Sequence, residues 1–155
     1  MTLQKGDKAP DFELPSTKTE TFKLSENLNG KGILLAFYPF DWSPVCTNEL
    51  GYFNANYKEF KAVDISLAAI SVDSPFSHSA WSDSQKLKFP LLSDFNKEVV
   101  AAYGVLLPEF HGLKNFAKRS VFLVDSEGII QYVWVADNPG VEPEYTELLD
   151  AAAEL

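Results

Sequence analysis

One stretch organises this sequence, Tyr38-Pro-Phe-Asp-Trp-Ser-Pro-Val-Cys-Thr-Asn-Glu-Leu50, and it carries a strong signal for the start of a helix. Ser43 is a favourable N-cap residue, and Pro44 then occupies the first helical position, where a proline is best tolerated. Counting from this cap, Cys46 is the third helical residue. A cap hydroxyl normally points at the backbone N–H of the second or third helical residue, so the Ser43 hydroxyl is predicted to lie near Cys46.

The predicted position of Cys46, the only cysteine of the chain, suits an anionic sulfur. The N–H groups of a first helical turn have no partner within the helix, and the positive end of the helix dipole lies there. A lone cysteine is also often a small buried hydrophobe, and the local sequence leaves both interpretations open. Behind it, Leu50, Phe53, Tyr57 and Phe60 recur at helical spacing and predict one amphipathic helix.

The segments on either side predict a strand–helix–strand unit. Residues 32–38 and 65–72 are almost wholly apolar, as expected of strands that are buried on both faces. At this spacing the two strands should pair in parallel, with the helix crossing between them. Active sites of open α/β sheets gather at the carboxyl ends of the strands, and residues 39–46 directly follow the first strand.

The rest of the chain alternates between shorter elements. We predict extended edge structure over residues 1–20, a strand at 21–24, helices at 75–87, 96–103 and 142–155, and an antiparallel hairpin of 120–125 with 129–135. Residues 105–118 contain Pro108 and Gly112 and are predicted to form a long loop. Long loops without regular structure tend to be functional.

The motif Pro39-x-x-x-Ser43-x-x-Cys46 resembles the Pro-x-x-x-Thr/Ser-x-x-Cys signature of the peroxiredoxins, which are thiol peroxidases with a thioredoxin-like fold. The resemblance continues in the family's order through Ala9-Pro-Asp-Phe12, Cys46-Thr-Asn-Glu49, Phe89-Pro-Leu-Leu-Ser-Asp94 and Arg119-Ser-Val-Phe-Leu-Val-Asp125. It implies an α/β, thioredoxin-like fold in its peroxiredoxin variant, as a single domain over residues 1–155. A central mixed β-sheet would be flanked by helices and carry an N-terminal extension.

The same resemblance implies five catalytic residues. Cys46 would attack one peroxide oxygen, while its N–H and the Ser43 hydroxyl donate to the two peroxide oxygens. Arg119 would hold the sulfur anionic and stabilise the developing charge, Pro39 would shield the sulfur from water, and Glu49 would brace the arginine. Without the resemblance, Arg119 would be a charge flanking an apolar strand and Glu49 an ordinary first-turn glutamate.

Departures from the family pattern narrow the subgroup. Ser43 replaces the commoner threonine, and Gly51 lies five residues after Cys46, where the bacterioferritin-comigratory group often has a resolving cysteine. No second cysteine follows, so a two-cysteine mechanism is not expected. The chain resembles compact one-cysteine peroxiredoxins of the alkyl hydroperoxide reductase E or bacterioferritin-comigratory type.

The function implied is reduction of hydrogen peroxide or organic hydroperoxides through a Cys46 sulfenic acid. No cofactor is expected, and the reductant would be an external low-molecular-weight thiol or a thioredoxin- or glutaredoxin-like protein. Two other functions stay open at this point. One is a peroxide-sensing relay that passes the oxidation to a partner protein, and the other is a non-catalytic holdase.

The composition of the chain limits the kinds of partner that it can bind. A net charge of −9 argues against nucleic acid and anionic membranes, which bind basic patches. Neither a signal-peptide core nor a membrane-length apolar run is present, so a cytoplasmic protein is expected. His78 and His111, with one cysteine, give no metal-binding spacing.

A homodimer is expected, because family members pair through loops near the active site. Trp42, Phe76 and Phe110 are placed in or beside such loops, although single exposed aromatics are common.

Overall fold

The computed structural model describes residues 1–155 and contains one five-stranded sheet and two small two-stranded sheets. The strands are β1 (Glu13–Pro15), β2 (Thr21–Lys23), β3 (Gly32–Phe37), β4 (Ile65–Ser71), β5 (Leu91–Ser93), β6 (Leu106–Phe110), β7 (Leu113–Ala117), β8 (Ser120–Asp125) and β9 (Ile130–Val135). The α-helices are α1 (Pro44–Ala55), α2 (Tyr57–Ala62), α3 (Pro75–Gln85), α4 (Glu98–Ala102) and α5 (Tyr145–Ala153), and Leu24–Glu26 forms a short 3₁₀ helix. None of the helices combines the length and apolar composition needed to cross a bilayer.

The central sheet has the strand order β5-β4-β3-β8-β9 and is mixed. Strand β3 lies in its middle, parallel to β4 and antiparallel to β8. Helices α1 and α2 connect β3 to β4, so the predicted strand–helix–strand unit is confirmed. The predicted β8–β9 hairpin is confirmed as well.

Strand β3 is buried on both faces because its alternate side chains enter two different hydrophobic clusters. Ile33, Leu35 and Phe37 pack into one cluster, and Leu34 and Ala36 into the other. Fully burying an aliphatic or aromatic side chain contributes about 1.5–3 kcal/mol, so both clusters anchor this strand. The almost continuous apolar run in the sequence reflects this two-sided burial.

The register between β3 and β8 decides where the site forms. Phe37 at the carboxyl end of β3 pairs with Ser120 at the start of β8. The residues just beyond this pair, Tyr38 on one strand and Arg119 on the other, therefore lie at the same end of the sheet. The loop from Pro39 leads from there into α1.

The prediction of a long loop over residues 105–118 is wrong, because β6 and β7 pair as an antiparallel hairpin. Phe110 pairs with Leu113, which leaves a two-residue turn of His111 and Gly112 with φ of 51° and 86°. Positive φ at both central residues suits the right-handed twist of a hairpin. Pro108 is tolerated because this small sheet has only edge strands.

All four predicted helices differ from their predicted limits, α3 and α4 only by a few residues at their ends. The helix that begins at Pro44 is interrupted at Asn56, whose side-chain amide donates to the Tyr52 carbonyl over 2.9 Å, and a separate helix α2 follows. The terminal helix begins at Tyr145, and Pro143 is buried in the segment before it. The predicted apolar stripe is still buried at Leu50, Phe53 and Phe60.

Candidate active site

Cys46 lies in the first turn of α1, as the sequence predicted. Ser43 precedes the helix with an extended backbone (φ −75°, ψ 148°), and Pro44 is the first helical residue. The Cys46 side chain is completely buried. Its backbone N–H has no hydrogen-bond partner within the protein, so a donor is available beside the sulfur.

The predicted direction of the Ser43 hydroxyl is wrong. It makes no cap bond to the first-turn N–H groups and instead donates to the Phe40 carbonyl over 3.0 Å. A hydroxyl has only one hydrogen, so after this bond its oxygen can only accept. With this bond in place Ser43 can only accept at the mouth of the site, and its predicted donation to a peroxide oxygen requires the hydroxyl to turn away from Phe40.

Arg119 connects the sulfur to Glu49. The guanidinium is buried, and its Nη2 donates to the Cys46 Sγ over 3.3 Å while its Nη1 donates to Glu49 Oε1 over 2.8 Å. Nε and Nη2 also donate to the Pro139 carbonyl over 3.2 and 2.8 Å. These four hydrogen bonds fix the plane of the Arg119 guanidinium, so its orientation is set before a substrate binds.

The charges of this cluster are only partly balanced. Burial lowers the pKa of Arg119, but the charge of Glu49 and then the Cys46 sulfur outweigh it, so the pKa is raised. Burial raises the pKa of Glu49 to about 7, although Arg119 opposes this shift. The second carboxyl oxygen, Glu49 Oε2, is buried without a hydrogen-bond partner. The cluster therefore contains one unbonded carboxyl oxygen beside an arginine that uses four of its five N–H donors.

A cavity of about 290 Å³ forms the mouth of the site. The loop that carries Pro39 and Ser43, the β6–β7 hairpin through Phe110 and Phe116, and Arg119 all line it. Pro39 itself is buried and provides part of the apolar wall. The segment that was predicted as a functional loop thus does contribute to the site, although as a hairpin.

Sequence reasoning missed a second buried polar network next to the motif. The Asp41 carboxylate accepts from Tyr38 Oη at 2.6 Å and Ser77 Oγ at 2.8 Å, and its Oδ2 lies 2.7 Å from His78 Nδ1. The Asp41 N–H donates to Asp73 Oδ2 over 2.8 Å. Asp41 stands inside the recognised motif, but its partner His78 lies 37 residues away, and only the folded sheet brings the two together.

This network fixes the loop that leads into α1. Trp42, directly after Asp41, has φ of 70°, a left-handed conformation that costs a non-glycine residue about 1–2 kcal/mol. The hydrogen bonds to Asp41 offset that cost. Asp41, Asp73 and His78 bring three possible metal ligands within 4.8 Å of one another. His78 Nδ1 already bonds to Asp41, and Asp73 accepts from the Ser71 hydroxyl and the Asp41 N–H. We therefore interpret the group as a hydrogen-bond network.

Comparisons with known proteins agree with this geometry. The profile of the AhpC/TSA family matches residues 5–133. The chain is 35% identical over 154 residues to the chloroplastic 2-Cys peroxiredoxin BAS1 of Hordeum vulgare, covering 93% of this chain and 71% of that protein.

Two solved structures are similar over most of the chain. Peroxidoxin BcpB from Mycobacterium tuberculosis superimposes with a TM-score of 0.88 at 28% identity, covering 99% of this chain and 98% of that one. The Xanthomonas campestris bacterioferritin comigratory protein gives a TM-score of 0.80 at 27% identity, covering 92% of this chain and 90% of that one. The predicted fold class is thereby confirmed.

Proposed function

This chain belongs to the AhpC/TSA family of peroxiredoxins and is a thiol-dependent peroxidase, and on that premise we propose that Cys46 performs the reaction together with Ser43, Arg119, Pro39 and Glu49. The 3.3 Å contact between Arg119 Nη2 and the Cys46 Sγ carries the proposal. It places a permanent positive charge against the only sulfur nucleophile of the chain.

In the proposed reaction, the Cys46 thiolate attacks one oxygen of a hydroperoxide and the O–O bond breaks. The sulfur becomes a sulfenic acid, and the other oxygen takes up a proton and leaves as water or an alcohol. Negative charge develops on the departing oxygen, and the Arg119 guanidinium and the free N–H of Cys46 are preorganised donors for it. Ser43, which donates to Phe40, is free to accept the peroxide O–H and so orient the substrate.

Pro39 and Glu49 support this step without touching the reacting oxygens. Pro39 is buried and has no N–H, so it walls the mouth without introducing a competing donor. Glu49 holds Nη1 of Arg119 and thereby leaves Nη2 directed at the sulfur. Glu49 is therefore a positioning residue.

These 155 residues contain no second cysteine that could resolve the sulfenic acid. We propose an external thiol, either of low molecular weight or on a thioredoxin- or glutaredoxin-like protein, and no cofactor. The thiol would form a mixed disulfide with Cys46 and release water, and a second thiol would then regenerate the thiolate.

Assembly and location belong to the same proposal. Trp42 and Phe76 are 56% and 86% exposed, which supports a homodimer that forms through these two residues, whereas Phe110 is half-buried in the lining of the mouth. A net charge of −9 supports neither a nucleic-acid nor a membrane partner. A free cysteine suits a reducing compartment, so we propose the cytoplasm. Sedimentation velocity at micromolar concentration tests the dimer, and cell fractionation tests the location.

Intact-mass spectrometry during a titration with hydrogen peroxide and with cumene hydroperoxide tests the reaction. We expect one equivalent of peroxide to add one oxygen to each chain and consumption then to stall until a thiol is added. Excess peroxide should carry Cys46 to the sulfinic and sulfonic acids. In Cys46→Ser no oxygen should be added at this position. Peroxide consumption that persists in Cys46→Ser would contradict the assignment.

A further inference from the structure

A larger groove lies beside the active-site mouth. It has a volume of about 600 Å³ and shares Phe110, His111, Arg119 and Pro139 with the lining of the mouth. The two cavities therefore meet at the arginine that contacts Cys46. A molecule lying in the groove is therefore next to the guanidinium whose Nη2 contacts the Cys46 sulfur.

The charges of this groove have both signs. Lys118 and Arg119 line it together with Glu109 and Asp137. Lys118 takes part in neither of the two ion pairs of the chain, and Asp137 is exposed and also unpaired. In a protein with a net charge of −9, an unpaired lysine beside the site favours a carboxylate, while the two acidic groups favour an ammonium. The volume lies within the range of small-molecule sites, about 300–1,000 Å³.

The depth of the sulfur restricts what can resolve it. Cys46 is completely buried, and the mouth above it holds only about 290 Å³. Thiol–disulfide exchange requires direct approach of one sulfur to the other, so access limits its rate. The mouth has room for a small thiol but not for the surface of a folded protein. Because Cys46 is completely buried, the first turn of α1 must shift before either kind of thiol reaches the sulfur, and the smaller molecule requires the smaller shift.

We propose that the groove binds the body of a low-molecular-weight thiol that carries both carboxylate and ammonium groups. Its sulfur then enters the mouth past Pro139 and attacks the sulfenic sulfur of Cys46. A mixed disulfide forms, the sulfenic oxygen leaves as water, and the proton of the thiol is used in that water. This inference rests on the proposed function, since it requires the sulfenic acid to form.

The test compares two thiols on the preformed sulfenic acid. Glutathione carries both kinds of charge, and 2-mercaptoethanol carries neither. Stopped-flow fluorescence gives the second-order rate constant for each, and their ratio cancels the general reactivity of the sulfenic acid. We expect Lys118→Glu to lower the ratio of the glutathione to the 2-mercaptoethanol constant about tenfold, and Lys118→Gln to lower it about threefold. Lys58→Glu, the same charge change at an exposed position of α2 outside the groove, should leave the ratio unchanged.

The outcomes distinguish failure of the proposed peroxidase function from failure of the proposed thiol groove. If hydrogen peroxide forms no sulfenic acid on Cys46 of the wild type, the proposed function and this inference both fall. If the sulfenic acid forms but both Lys118 variants keep the wild-type ratio, the groove inference alone is wrong. The same holds if Lys58→Glu lowers the ratio as much as Lys118→Glu. Rapid reduction by thioredoxin, with glutathione no faster than 2-mercaptoethanol, would likewise overturn the groove as the thiol site.

Discussion

The protein buries two pairs of titratable side chains near its active-site loop, and they differ in how fully their polar atoms are bonded. Around Asp41 and His78, both carboxylate oxygens and both ring nitrogens have partners. Around Arg119 and Glu49, one carboxylate oxygen has none, and one arm of the guanidinium contacts the Cys46 sulfur.

This difference suggests that the Asp41 network stabilises the loop, whereas the Arg119 cluster takes part in the proposed reaction. A fully bonded buried network rigidifies the backbone that carries it, because any displacement leaves a polar group unpaired. The Asp41 network therefore holds the loop from Tyr38 to Trp42. The Arg119–Glu49 cluster is incompletely bonded and directs Nη2 at the Cys46 sulfur, whose charge changes in the proposed reaction. We therefore expect substitutions in the Arg119–Glu49 cluster to change mainly the rate of peroxide attack, and substitutions in the Asp41–His78 network to change mainly the free energy of unfolding.

Of the substitutions considered, Arg119→Met should have the largest effect, on both the rate of peroxide attack and stability. Loss of a preorganised donor at the developing charge should slow peroxide attack about 10²- to 10³-fold. Stability should fall by about 3 kcal/mol, the lower end for breaking a buried pair, because Glu49 can take up a proton once its partner is gone. Stopped-flow kinetics and urea unfolding measure the two effects. In the double variant Arg119→Met/Glu49→Gln, stability should partly recover while the rate stays low, and a recovered rate would contradict the assigned roles.

Asp41→Asn should produce the opposite profile. The amide cannot accept from Tyr38, Ser77 and His78 as the carboxylate does, so donors are left unsatisfied in the core. We expect a loss of about 3 kcal/mol in the free energy of unfolding. The rate of peroxide attack per folded molecule should fall less than in Arg119→Met. Asp83→Asn, on the exposed face of α3, is the matched control. A larger rate loss than in Arg119→Met would remove the distinction between the regions.

The raised pKa of Glu49 makes the stability of the catalytic cluster dependent on pH. Folded Glu49 keeps its proton up to a pKa of about 7, whereas its ordinary value is 4.5. Between these values the folded state binds more protons than the unfolded state, so stability decreases as pH rises, by at most about 1.4 kcal/mol per pH unit. The decrease should level off above about pH 7. Urea unfolding of wild type minus Glu49→Gln isolates this contribution, and parallel pH profiles of the two proteins would refute it.

Ser43→Ala should have the smallest effect and should sharpen the comparison. Its hydroxyl makes no cap bond, so only one hydrogen bond to Phe40 is lost, at about 1 kcal/mol or less. Peroxide attack should slow about tenfold, because one orienting acceptor is missing. Ser43→Thr retains the hydroxyl and should keep the wild-type rate in the same stopped-flow assay. Equal rates for Ser43→Ala and wild type would remove Ser43 from the site.

The central elements could be predicted because their signals are local. Apolar runs buried on two faces gave β3 and β4, and Ser43 followed by Pro44 located the start of α1. The order of family motifs placed Arg119 and Glu49 in one site with Cys46, and the structure brings these three side chains into contact.

What escaped prediction depends on tertiary geometry. The Ser43 hydroxyl chooses between a first-turn N–H and the Phe40 carbonyl, and only the path of the loop decides between them. His111 and Gly112 form a two-residue hairpin turn, but Pro108 and the glycine read as breakers when taken singly. His78 has no local pattern that pairs it with Asp41.

The pairing of β3 with β8 also determines when, during synthesis of the chain, the site can form. Cys46 and Arg119 are separated by 73 residues and meet only when these two strands pair. At a synthesis rate of about 5–20 residues per second, the cysteine is made roughly 4 to 15 s before its arginine. During that interval the sulfur belongs to an incomplete chain and lacks the guanidinium that the finished site provides. In the proposed mechanism the chain therefore acquires its nucleophile early, and the site is complete only when β8 has been synthesised and has paired with β3.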